Sequence, residues 1–238
     1  GSHLSYTYSC VENRHCLTIR KHDLRRIPLT AFVQRLLKAS ESNQSLLCVG
    51  LDPDPSLMAI SDMLNFNRSI VAATKDLVCA YKPNLSFYEA HGSRGIQVLE
   101  QTVSYIRAEA PGIIVLGDAK RGDIGSTNEA HARAMFEVWG FDAVTVNAYA
   151  GLEVLEPFVE YLDRGVFIWC RSSNTLSGLQ DVRVGSGCGP RLFEWLAAQV
   201  SGWDKYGNVG LIAGATYPVD IETIRSICPE MPLLVPGV

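Results

Sequence analysis

From residue 29 onward the chain repeats one hydrophobic pattern: a short, almost uninterrupted apolar run, a longer stretch of amphipathic spacing, then another apolar run. The runs fall at 46–51, 78–82, 113–117, 143–147, 166–170, 209–213 and 233–235. Apolar on successive positions rather than on alternate ones, they read as strands buried on both faces, as parallel strands are. Their starts lie roughly 20 to 40 residues apart, the repeat expected when each strand leads into a crossover helix and the next strand lies parallel.

The intervening stretches carry helix signals. Ser126-Thr127-Asn128-Glu129 reads as a capping box, followed by Ala130, Ala134, Phe136 and Val138, and Pro157 and Pro190 sit early in later helical stretches. No GxGxxG follows the first strand, so the pattern predicts a (β/α)₈ TIM barrel rather than a nucleotide-binding doubly wound sheet. A closed barrel needs eight strands and seven are found, so an eighth strand and final helix are expected in the natural protein. Residues 29–238 form the barrel domain in this reading. Residues 1–28 comprise an expression remnant, Gly1-Ser2-His3, and a basic extension carrying Arg14, Arg20, Lys21, Arg25 and Arg26.

Composition narrows the classes. At 238 residues and 47% hydrophobic the chain can fill one core, and a net charge of -4 offers no basic footprint for nucleic acid. No run approaches the ~20 apolar residues of a membrane span, so a soluble, cytoplasmic protein is expected. The seven cysteines are widely spaced and show no CxxC pair, which fits buried free thiols in a reducing compartment better than disulfides or a metal site.

In such a barrel the chemistry sits at the carboxyl ends of the strands. There the sequence places Asp52 after the first strand, Lys82 at the second, Asp118 and Lys120 at the third and Asn147 at the fourth; Arg171, Ser172 and Ser173 follow the fifth. Asp118 and Lys120, at i and i+2, should face the same side. With Lys82 from the neighbouring strand and Asp123 from the following loop, an alternating Lys-Asp-Lys-Asp array is expected. Carboxylates beside Lys120 favour its ammonium form, making it a held acid. A structural ion-pair network closing the barrel end is the alternative, with Asp123 capping a helix.

Read in order, Leu51-Asp52-Pro53, Tyr81-Lys82-Pro83-Asn84, the string from Asp118 through Lys120 and Asp123 to Thr127, Val144-Thr145-Val146-Asn147, Arg171-Ser172-Ser173-Asn174, Gly214-Ala215-Thr216 and Pro236-Gly237 resemble the orotidine 5′-monophosphate decarboxylases, above all their bacterial-type branch. The resemblance implies decarboxylation of orotidine 5′-monophosphate to uridine 5′-monophosphate in pyrimidine biosynthesis, with no metal and no organic cofactor. Lys82, Asp118, Lys120 and Asp123 would then be catalytic, with Asp118 against the substrate carboxylate and Lys120 stabilising and protonating the carbanion. Asp52, Thr127, Ser173 and Pro236 would bind substrate: Asp52 the ribose, Ser173 the pyrimidine, and Pro236 at the start of the covering loop. The resemblance further implies a homodimer in which Asp123 and Thr127 reach the partner's site. It also implies a phosphate-binding Gln and Arg beyond Val238. Asn147 and Thr216 match the family's motifs without an assigned role. Two rivals stand beside this reading: a magnesium-dependent keto-sugar-phosphate aldolase or decarboxylase sharing the DxKxxD core, and a non-catalytic nucleotide-binding barrel.

Overall fold

The computed structural model describes residues 30–175, 178–185 and 187–238. The extension expected over residues 4–27 lies outside them. Among the described residues seven strands form one sheet in sequential order, each parallel to the next: β1 (Cys48–Leu51), β2 (Ala80–Pro83), β3 (Ile114–Arg121), β4 (Ala143–Val146), β5 (Gly165–Arg171), β6 (Val209–Ala213) and β7 (Leu233–Leu234). Each expected run overlaps a strand, and β3 continues four residues beyond its run, to Arg121. Helices α1 (Ala31–Asn43), α2 (Met63–Thr74), α3 (Leu85–Glu89), α4 (Gly92–Glu109), α5 (Gly125–Arg133), α6 (Glu156–Val159), α7 (Gly178–Asp181), α8 (Leu192–Trp203) and α9 (Pro218–Ile227) alternate with them, and α5 runs on into a single π turn, Ala134–Val138.

Because successive strand residues face opposite sides, the strands supply two cores. Outward side chains such as Val115, Val144, Ile168 and Leu211 pack under the helices. Inward ones, Ala80, Ile114, Leu116, Ala143, Phe167 and Ile212, fill the barrel together with Phe32 and Val33 of α1. The helix preceding β1, which the strand pattern did not predict, therefore serves as a plug. Phe32 meets Phe167 edge-on with centroids 6.1 Å apart, and a Cβ on Gly165 would stand 2.4 Å from the Phe32 ring, so the plug requires glycine there.

The amino-terminal end is locked by Asp142, only 2% exposed. Its carboxylate meets Arg35 of α1 at 2.6 Å, Arg107 of α4 at 2.7 Å and Arg164 at 3.6 Å, and accepts the Val115 N–H at 2.8 Å. One buried charge thus joins the plug, a wall helix and two neighbouring strands.

Two helix signals are displaced. The capping residue of α5 is Ile124, with no side-chain cap, and Ser126 lies inside the first turn. Asn128 provides the local hold instead: its Oδ1 accepts the Asp123 N–H at 3.0 Å, while its Nδ2 donates to the carbonyls of Asp123 at 2.7 Å and Val154 at 2.6 Å. Pro190 stands one residue before the cap of α8, where Glu194 accepts the Arg191 N–H at 2.7 Å.

Candidate active site

At the carboxyl ends of the strands the interior changes from apolar to charged within one residue step. On β3, Ile114 and Leu116 are followed inward by Asp118, which is 7% exposed. A carboxylate so enclosed must be compensated. Lys82 Nζ reaches Asp118 Oδ2 at 3.0 Å, Lys120 Nζ reaches Oδ1 at 2.6 Å, and the Thr145 hydroxyl donates to Oδ1 at 2.8 Å. Burial pushes the Asp118 carboxyl up, but the two lysines outweigh it and hold it below the usual carboxylate range. Burial likewise disfavours the Lys82 ammonium, and Asp118 and Asp52 reverse that, raising it above an ordinary lysine.

Lys120 reaches its partner in an unexpected way. Its φ is +45°, a left-handed conformation that a side chain with Cβ seldom adopts, and the pairing of β3 with β4 shifts between Gly117 and Arg121. Simple strand alternation therefore does not aim the ammonium. The conformation is pinned from β4: the Lys120 N–H donates to Thr145 Oγ1 at 2.9 Å and its carbonyl accepts Asn147 Nδ2 at 3.1 Å. A Cβ on Gly122 would lie 2.4 Å from the Asn147 carbonyl oxygen, so the segment after Lys120 lies flat against β4 only because that residue is glycine. A backbone so strained persists only because its surroundings hold it.

Asp52 leaves β1 toward the same charges. Partial enclosure raises its carboxyl, with Lys82 opposing and Asp118 adding to the shift. The third element of the mouth joins β5, β6 and β7. Thr216 Oγ1 donates to the Ser173 carbonyl at 2.9 Å, and the Ala215 N–H donates to the Pro236 carbonyl at 2.9 Å. Thr216 thereby fixes the backbone that carries Ser173.

Within one chain, then, Lys82, Asp118 and Lys120 come together, with Asp52 beside them. Asp123 and Thr127 do not join them: both are exposed at the rim, and Asp123 Oδ1 accepts the N–H of Ile124 at 2.8 Å. Arg171 also leaves the mouth. Only 2% exposed, it turns into the helix layer to meet Asp181 at 3.1 Å and Asp220 at 2.9 Å, with its guanidinium 4.0 Å from the Tyr217 ring centroid. Thr145 is the polar site residue that the strand pattern left unused, and its signal was a buried hydroxyl in an otherwise apolar strand. Among the described residues no group of three His, Cys, Asp or Glu side chains lies close enough to hold a metal ion.

This arrangement has two cationic hydrogen-bond donors around one buried anion, open to the barrel mouth. It can accept a second anionic group only against the repulsion of Asp118, and it can give a proton from Lys120 to an atom that becomes negative nearby.

Residues 45–238 match the model of the orotidine 5′-phosphate decarboxylase / HUMPS family. An orotidine 5′-phosphate decarboxylase from Thermomicrobium roseum is 49% identical over 216 residues, 87% of this chain and 75% of that protein. Among solved structures, the orotidine monophosphate decarboxylase of Leishmania donovani superposes with a TM-score of 0.78 at 36% identity, covering 87% of this chain and 80% of that one. The uridine monophosphate synthase of the same organism gives 0.79 at 37% identity, covering 88% of this chain and 45% of that longer chain.

Proposed function

The chain belongs to the orotidine 5′-phosphate decarboxylase / HUMPS family, and from that premise we propose how its mouth removes CO₂ from orotidine 5′-monophosphate to give uridine 5′-monophosphate in pyrimidine biosynthesis. The observation that carries the reading is the Asp118 carboxylate held between two lysines at 2.6 and 3.0 Å. The substrate carboxylate would lie against Asp118, so that like charges are forced together in the bound state and separate as CO₂ leaves. The bond between the ring and the carboxylate carbon breaks and its electron pair stays on the ring carbon. The Lys120 ammonium stabilises that charge as it develops and then transfers its proton there. Lys82 keeps Asp118 ionised throughout, and Asp52 and Ser173 hold ribose and pyrimidine. Eight relatives 42–49% identical to this chain carry the decarboxylase name, which favours this reading over a sugar-phosphate rival.

The test is the ultraviolet absorbance of orotidine 5′-monophosphate followed over time in buffer containing a chelator. Conversion to the uridine monophosphate spectrum is the expected result. Turnover that depends on added magnesium would point to the rival chemistry.

A homodimer with shared sites follows from the same reading. Asp123 and Thr127 stand exposed at the rim, flanked by apolar side chains equally open to solvent, Ile124 at 65% and Tyr149 at 92%. A second subunit laid on this rim would cover those groups and receive Asp123. Subunits carrying Lys120→Ala, inactive alone, mixed with inactive Asp123→Ala subunits should then regain up to about a quarter of wild-type turnover, through hybrids holding one intact site. No recovery after subunit exchange would mean that each chain uses its own Asp123. A cytoplasmic location is consistent with the free thiols of Cys48, Cys79, Cys170 and Cys228.

A further inference from the structure

On β5 the inward positions are Gly165, Phe167 and Trp169, while Ile168 and Cys170 pack outward beneath the helices. Every residue of this strand is buried except Trp169, which is 38% exposed. The pairing of β5 with β6 shifts between Trp169 and Arg171, and beyond the shift Arg171 turns into the helix layer. Trp169 is therefore the last inward side chain of β5, and its indole stands as a wall of the mouth. The Lys120 ammonium lies 5.9 Å from the centre of that ring.

The geometry assigns Trp169 as a positioning residue for the decarboxylation, holding the Lys120 ammonium against its indole face; this rests on the function proposed above. The chemical reason is selective. Lys120 must be kept charged and aimed, yet a further carboxylate of its own chain in that place would tighten its hold on the proton it has to deliver and repel the negative charge developing on the ring. An aromatic face attracts a cation through its quadrupole without setting a full negative charge there. Asp118 fixes one side of the ammonium, the left-handed backbone at Lys120 fixes its origin, and the indole supplies a further, non-basic side.

The experiment places tryptophans bearing increasing numbers of ring fluorines at position 169 alone. Fluorine drains the negative face while hardly changing ring size. We expect kcat to fall stepwise with fluorination, reaching about tenfold, with KM held within about twofold and Tm unchanged. Trp169→Leu should lose at least as much. Equal kcat across the fluorinated series would overturn the inference even if Trp169→Leu were impaired, since shape alone would then account for the residue. Failure of the unsubstituted enzyme to decarboxylate orotidine 5′-monophosphate at all would be a different result: it would remove the functional reading, and this one with it.

Discussion

Replacing Lys120 with alanine should lower kcat for orotidine 5′-monophosphate by roughly 10³-fold or more, because it removes both the charge that stabilises the carbanion and the proton donor. The fold should survive. Asp118 would keep Lys82 at 3.0 Å and the Thr145 hydroxyl at 2.8 Å, so its buried carboxylate is not left alone. The left-handed backbone at Lys120 costs alanine about what it costs lysine, since both carry a Cβ. Tm within a few degrees of wild type, beside a collapsed kcat, is the expected pair of readings. Turnover near the wild-type value would show that the proton comes from elsewhere.

The second large effect lies at the opposite end of the barrel and should appear in stability. Asp142→Ala removes the acceptor for the buried Val115 N–H and the common counter-charge of Arg35, Arg107 and Arg164. An orphaned buried N–H costs about 1–3 kcal/mol, and breaking a buried ion pair by removing one partner costs about 3–5 kcal/mol. The three arginines are each partly open to water and can be rehydrated, which puts the combined loss near ~3 kcal/mol. In a domain of this size that corresponds to a Tm lower by about 6–12 °C. Thermal unfolding followed by circular dichroism would measure it, and a drop under about 1 °C would mean that solvent replaces the cluster without penalty.

What could be read in the sequence follows from what each feature depends on. The strands were legible because parallel strands are buried on both faces, so burial is written as an unbroken apolar run such as 209–213, which coincides with β6. Lys82, Asp118 and Lys120 were legible because strand ends converge in a barrel, so polar groups there become neighbours whatever their separation along the chain. The plug α1 was not, since its buried face is short and its surface polar; its partner Phe167 lies on β5. Asp142 was equally silent, because Arg35 and Arg107 approach it only once the barrel has formed. The left-handed Lys120 had no local sign either: it exists because Thr145 and Asn147 hold it from the next strand. The misplaced capping box shows local grammar giving way to a tertiary clamp, with Asn128 fixing the turn that Ser126 was expected to make.

The plug also sets an order of events during synthesis. α1 leaves the ribosome before any strand of the sheet, yet the surfaces that receive Phe32 and Thr30 are Phe167 on β5 and the Gly207 carbonyl just ahead of β6. Contacts so distant in sequence carry a large closure entropy and form late. For much of translation, then, Phe32 lacks the ring it meets on β5, and the short apolar face of α1 is fully closed only as the fifth and sixth strands arrive.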